Sequence, residues 1–190
     1  VRGGAVGRGG GSSFEAIRAL PAGASAHGTR ITEQGEVVSS KYGDPILGRA
    51  SLETIVAAAL LAELSPRGDA ADGEGAVLLA ELSQAAFTHY RALVYGTPNF
   101  ETYFRQATPL LEIADLKIGS RPASRSTSPR IEDLRAIPWV FSWSQARVML
   151  PGWYGLGTAA NAVGIERLKP LYAGSAFFRT MLANTEMVLA

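Results

Sequence analysis

The residues best suited to chemistry stand in the stretch Val1-Arg2-Gly3-Gly4-Ala5-Val6-Gly7-Arg8-Gly9-Gly10-Gly11. Glycine and arginine dominate it, so it offers few side chains for a core to hold and reads as a loop. Glycine reaches backbone conformations closed to other residues and lets a ligand approach the main chain. Arginine presents a planar fork of donors matched to phosphate and carboxylate. An anion site is the chemistry this combination suggests. Arginine-glycine runs also occur in disordered RNA-binding tails, and glycine-rich runs make flexible linkers. Ser12 occupies the third glycine position of a dinucleotide fingerprint, and no Gly-Lys-Ser/Thr follows as in a nucleoside-triphosphate loop. Both of those readings fail. The next residues favour the anion site: Ser12 or Ser13 can cap a helix in which Phe14, Ile17 and Leu20 recur at helical spacing. A helix N-terminus favours an anion through its free N–H groups and its dipole.

Other side chains that could do chemistry read first as structural. His27 lies in a loop of small residues and His89 on the apolar stripe of a helix, so neither is assigned as a base. Glu132-Asp133, and Glu33 with Glu36, are read as capping or solvated carboxylates, and no metal ligand is assigned. Trp139, Trp143 and Trp153 read as core or boundary residues, without the spacing of a stacking platform.

The elements that must position these groups follow from periodicity and punctuation. Residues 29–34, with Thr29, Ile31 and Thr32, predict a short strand ended by Gly35. Asp44-Pro45 is a helix start, with Asp44 as cap and Pro45 in the first helical position. The helix that follows to about Leu64 is expected to be mostly buried. A polar break over 65–75 precedes a second long helix from about Ala76 to Tyr95, stopped by Gly96-Thr97-Pro98. A short helix begins at Phe100, and Leu111–Leu116 leads into a segment rich in arginine, serine and proline that is expected to be mobile. The apolar run Leu134–Phe141 predicts a strand covered on both faces, although Pro138 belongs at a strand edge or end. Helices are expected within 142–150, 153–163 and 174–190. Periodicity alone therefore gives a helix-rich α/β piece with two or three strands.

Several motifs, in order along the chain, resemble phosphoenolpyruvate carboxylase. They are Arg2 to Gly11, Thr32-Glu33-Gln34-Gly35-Glu36-Val37 with Lys41-Tyr42-Gly43, Gly119-Ser120-Arg121-Pro122, Leu134-Arg135-Ala136-Ile137-Pro138-Trp139, and Gln145-Ala146-Arg147 through Leu150-Pro151. The resemblance implies that residues 1–190 are an incomplete C-terminal portion of a single catalytic (β/α)-barrel domain of TIM-barrel type, mostly α-helical with a few parallel strands. It implies a catalytic glycine-rich loop at 1–11 and a mobile arginine loop at 119–131, at the strand ends where such barrels keep their sites.

The same resemblance implies the reaction: bicarbonate attacks the phosphate of phosphoenolpyruvate, giving carboxyphosphate and the enolate of pyruvate. Carbon dioxide released from carboxyphosphate is then captured by the enolate, giving oxaloacetate and phosphate, an anaplerotic carbon dioxide fixation that feeds the tricarboxylic acid cycle. By this likeness Arg2 and Arg135 bind the substrate phosphate, and Arg121 belongs to the same site. Arg8 serves the bicarbonate-derived group and the enolate, and is also the one residue here that matches the feedback-inhibitor site for aspartate or malate. Magnesium or manganese is implied as the cofactor, with ligands upstream of this chain. The family's catalytic histidine and lysine are expected upstream as well, so the 190 residues alone are expected to be inactive. Val1 stands where the family has glycine, and Ser124 where lysine is common. The resemblance further implies an allosteric, cytoplasmic homotetrameric lyase. The alternative is a non-catalytic anion-binding or regulatory module that retains the phosphate-binding arginines.

Composition agrees with a globular domain of this size, at 47% hydrophobic residues. With 18 basic against 17 acidic residues, the charge balance gives no general attraction to nucleic acid or to a membrane surface, and neither is expected as a partner. The absence of cysteine removes thiolate chemistry and disulfides and suits a cytosolic protein. The strongly apolar run Ile55–Ala62 is too short to span a bilayer.

Overall fold

The computed structural model describes residues 2–3, 11–20, 24, 28, 30–33, 35–64, 72–116, 122–126 and 130–189. They are mostly helical and divide into two compact units.

The first unit takes in residues 1–80 and 164–190. Strand β1, Arg2–Gly3, pairs in parallel with β2, Arg30–Ile31, placing Arg2 opposite Arg30 and Gly3 opposite Ile31. A parallel pair needs a crossover, and the connection here carries helix α1, Ser13–Arg18. The strand expected at 29–34 is thus present in a shorter form. Arg2–Gly3, expected within a loop, is a strand because ladder pairing uses only backbone groups, which composition does not register.

Helix α2, Gly35–Tyr42, begins where Gly35 was expected merely to end a strand. Helix α3, Pro45–Leu64, has the expected start. The Asp44 carboxylate accepts hydrogen bonds from the N–H groups of Ile46 and Leu47 at 2.8 and 3.0 Å, and the Gly48 N–H reaches the Asp44 carbonyl at 2.8 Å.

The burial expected of α3 is overturned. It packs against α1 and α2 and buries Gly48 and Ala58, while Ile46, Leu47, Leu52, Val56, Leu60, Leu61 and Leu64 stay exposed. An apolar sequence shows that a helix can be covered, but which faces are covered depends on neighbours elsewhere in the fold. By length and composition alone α3 would also suffice to cross a membrane, which the run Ile55–Ala62 by itself did not suggest. Helices α9, Ile165–Gly174, and α10, Ala176–Leu189, complete the unit. α9 was not expected. α10 is started by the fully buried Ser175, whose hydroxyl accepts from the Phe178 N–H at 3.0 Å.

The second unit takes in residues 81–163, and helix α4, Glu74–Val94, supplies residues to both units. Helices α5, Phe100–Ala107, and α6, Leu110–Asp115, lead to a 3₁₀ turn at Ile131–Asp133 and to α7, Ala136–Gln145. α8, Leu156–Val163, follows. The core joins Val94, Phe100, Phe104, Leu110, Trp143 and Leu150. The Phe104 ring lies tilted against Trp139 and Trp143, with centroids 4.7 and 4.9 Å away, and the two tryptophans meet edge to face at 5.7 Å.

The strand expected over Leu134–Phe141 is also overturned, since Ala136 to Gln145 is helix α7. Pro138 is the third helical residue, where an N–H would have no intrahelical partner. The first i to i−4 bond runs from the Trp139 N–H to the Arg135 carbonyl at 3.2 Å. The proline that counted against a central strand therefore costs a helix nothing at this position.

Candidate functional site

Of the arginines expected to bind substrate, Arg135 is fully described. It is the N-cap residue of α7, with extended backbone at φ −83° and ψ 161°. Its Nε is buried and has no hydrogen-bond partner among the described residues. Trp143 Nε1, on the same helix, is another buried donor in that condition. A cation is disfavoured beside a helix N-terminus, and a buried donor left unpaired costs free energy. An anion at Arg135 would relieve both.

The backbone around Arg135 is held by a short antiparallel pairing. Ser124 bridges to Leu134, the Arg125 N–H donates to the Asp133 carbonyl at 2.8 Å, and the Arg135 N–H donates to the Ala123 carbonyl at 3.0 Å. The Ser124 hydroxyl adds a bond to the Asp133 carbonyl at 3.1 Å. The described part of the arginine-rich segment is therefore pinned to the turn that delivers Arg135. Arg121 itself lies outside the described residues. So does Arg8, while Arg2 is described only as part of β1, opposite Arg30.

A polar group that sequence reasoning passed over lies in the first unit. Glu33, read above as a solvated carboxylate, is nearly buried, its side chain 8% exposed. Lys41 Nζ sits 2.6 Å from Glu33 Oε1 and donates a second bond to the Ser13 hydroxyl at 3.3 Å. The Tyr42 hydroxyl also bonds the Glu33 carboxylate. Burial would raise the Glu33 pKa, but the bonds from Lys41 and Tyr42 outweigh it and hold the carboxyl below its usual range. Burial, then the hydrogen bond to Glu33 and its charge, push the Tyr42 hydroxyl up.

Helical side chains lean toward the helix N-terminus, which lets Lys41, in the last turn of α2, reach back to Glu33. The separation of eight residues carries no pairing signal in itself, because the chain between them changes from extended to helical.

The remaining candidates have these surroundings where they are described. His89 stacks on Tyr154 at 5.3 Å. Glu132 is exposed beside Arg130, with Oε2 at 3.4 Å from Nε. His27 lies outside the described residues.

The described residues are thus mostly helical with one two-residue parallel strand pair, and they include a largely covered acid–lysine pair, Glu33 with Lys41. Among the described residues no group of three or more His, Asp or Glu is placed to hold a metal ion.

Comparison with known proteins agrees with the motifs. The family model described as phosphoenolpyruvate carboxylase matches residues 1–190. Curated relatives named phosphoenolpyruvate carboxylase include those of Azorhizobium caulinodans, 55% identical, and Aromatoleum aromaticum, 54% identical, each aligned with 100% of this chain. The relative of that name from Chromobacterium violaceum is 55% identical over the same extent. The chain belongs to an enzyme family, that of phosphoenolpyruvate carboxylase. It spans about a fifth of the relatives' length, 21% of the first and 22% of the second.

Proposed function

We propose that this chain is the arginine-bearing part of a phosphoenolpyruvate carboxylase that converts phosphoenolpyruvate and bicarbonate to oxaloacetate and phosphate. The observation that carries the reading is Arg135, whose buried Nε has no partner among the described residues at the start of α7. A phosphate oxygen is the acceptor it fits, since guanidinium matches phosphate in shape and charge. Arg2, Arg8 and Arg121 complete the set by family likeness, Arg2 on the phosphate with Arg135 and Arg121 in the same site. Arg8 faces the bicarbonate-derived group and the developing enolate. Fixed positive charges of this kind stabilise phosphoryl transfer as charge redistributes over the phosphate oxygens.

The parallel pair β1–β2 with α1 in its connection supports a parent fold of (β/α)-barrel type. The described residues do not themselves fit a magnesium or manganese ion, so the metal's ligands are assigned to the rest of the enzyme and no step is derived through it. The same reading makes the whole protein a cytoplasmic homotetramer, inhibited by aspartate or malate in part through Arg8.

The test is bicarbonate-dependent oxaloacetate formation by the full-length polypeptide containing these residues, beside its Arg135→Ala variant. Activity in the first and a fall of roughly two to three powers of ten in the second is the expected result. No activity in a folded full-length protein would turn the reading to an anion-binding module.

A further inference from the structure

Arg135 can hold a phosphate only if its side chain is aimed at the anion, and that aim starts from its backbone. Both backbone polar groups of Arg135 are occupied: its N–H donates to the Ala123 carbonyl at 3.0 Å, and its carbonyl accepts from the Trp139 N–H at 3.2 Å. We infer that Ser124 is a positioning residue for Arg135. Its hydroxyl locks the antiparallel pairing of residues 123–125 with 133–135, which holds the Arg135 backbone before substrate arrives. This rests on the reading under Proposed function, in which Arg135 binds the substrate phosphate.

Ser124 stands at the centre of the pairing, bridged to Leu134, the residue before Arg135. The Asp133 carbonyl accepts twice, from the Arg125 N–H at 2.8 Å and from the Ser124 hydroxyl at 3.1 Å. The Ser124 oxygen in turn accepts from the Ser126 N–H at 3.4 Å, and Arg125 Nη1 donates to the Glu132 carbonyl at 3.3 Å. Within the turn itself, the Asp133 and Leu134 N–H groups donate to the carbonyls of Arg130 and Ile131, at 3.1 and 3.0 Å. The turn is thus closed by its own bonds, and Ser124 fastens it to the neighbouring segment through a side chain.

So short a pairing is marginal on backbone bonds alone, and a side-chain bond adds a constraint to it. The bond from Ser124 to Asp133 is partly buried, so water competes with it less than with a surface bond. Ser124 stands where lysine is common in the family, and lysine has no oxygen to accept from the Ser126 N–H. The double role, donor to the turn and acceptor from its own segment, needs a hydroxyl. Holding Arg135 in its working geometry beforehand spares the cost of ordering it when the anion binds.

The test uses the full-length carboxylase with magnesium and compares wild type, Ser124→Ala, Ser124→Thr, Arg135→Ala and the double variant Ser124→Ala/Arg135→Ala. Ser124→Ala is expected to lose roughly threefold to tenfold in kcat/KM for phosphoenolpyruvate, the factor one hydrogen bond is worth, with a thermal midpoint near that of wild type. Ser124→Thr, which keeps the hydroxyl, is expected to keep the wild-type kcat/KM. In the Arg135→Ala background, Ser124→Ala is expected to add no further loss, since the side chain it positions is gone. An equal loss with and without Arg135, no loss in Ser124→Ala, or a threonine variant as poor as the alanine one would each overturn the inference. Should the wild type itself show no carboxylation, the reading under Proposed function fails, and the same set of variants read by affinity for inorganic phosphate decides. A Ser124→Ala loss that vanishes without Arg135 then upholds the positioning role, and any other result overturns it.

Discussion

At the scale of single residues, the chemistry of this chain rests on charges placed where they need partners. Arg135 keeps a buried donor without one among the described residues, and Glu33 has two. The Glu33 carboxyl is held below its usual value of 4.5, so the folded state binds its proton less readily than the unfolded chain does. The stabilisation is therefore complete above about pH 4.5 and is lost as pH falls through the folded value. Thermal midpoints of wild type and Glu33→Gln, measured against pH, should differ most above that point and converge in more acidic solution. At neutral pH the variant is expected to lose about 1–3 kcal/mol, the range for a hydrogen-bonded charged group. The pair was not legible in the sequence, since Glu33 beside Glu36 looked like a solvated turn. Only the tertiary arrangement, with α1 and α2 both packed against α3 and Lys41 bonded to Ser13, brings Glu33 and Lys41 into a covered pair.

At the scale of elements, local signals were reliable where the deciding contacts lie within one turn. Asp44-Pro45 announced α3, and the Asp44 carboxylate does bond the N–H groups at its start. Asp44→Ala should therefore destabilise the fold by about 1 kcal/mol, and Asp44→Asn by much less, as read from the thermal midpoint of the full-length protein. The segment that became α7 shows the opposite case. Its unbroken apolar run suits a buried strand or a buried helix equally, and periodicity does not separate them. The choice fell to helix because α7 places Trp139 and Trp143, four residues apart, on one face against Phe104, with Trp139 also hydrogen-bonded to Tyr90. Trp143 is buried and Trp139 partly so, as their apolar surroundings in the sequence suggested.

At the scale of the whole molecule, many large apolar side chains are exposed among the described residues. Leu52, Val56 and Leu60 line an open groove on α3 with Tyr42 and Pro45, and the family relatives are several times longer than this chain. The 190-residue chain on its own should therefore bind an apolar fluorescent dye strongly. Replacing Leu52, Val56 and Leu60 together by glutamine should lower the dye signal several-fold, with helical circular dichroism retained. A weak signal in the unaltered chain would mean that this face is already covered in solution.

The sequence by itself determined what short-range physics controls: the cap of α3, the start and stop of α4, the arginine and glycine positions, and the motifs that identify the family. Those depend on residue type and on neighbours a few positions away. Tertiary structure alone decided that Arg2–Gly3 joins a parallel pair, that residues 136–145 coil instead of extending, that α3 stays open along most of its length, and that Lys41 spans Glu33 and Ser13. Each of these depends on partners distant in the chain. Burial and pairing are properties of the space that several elements enclose together, which no single stretch of sequence specifies.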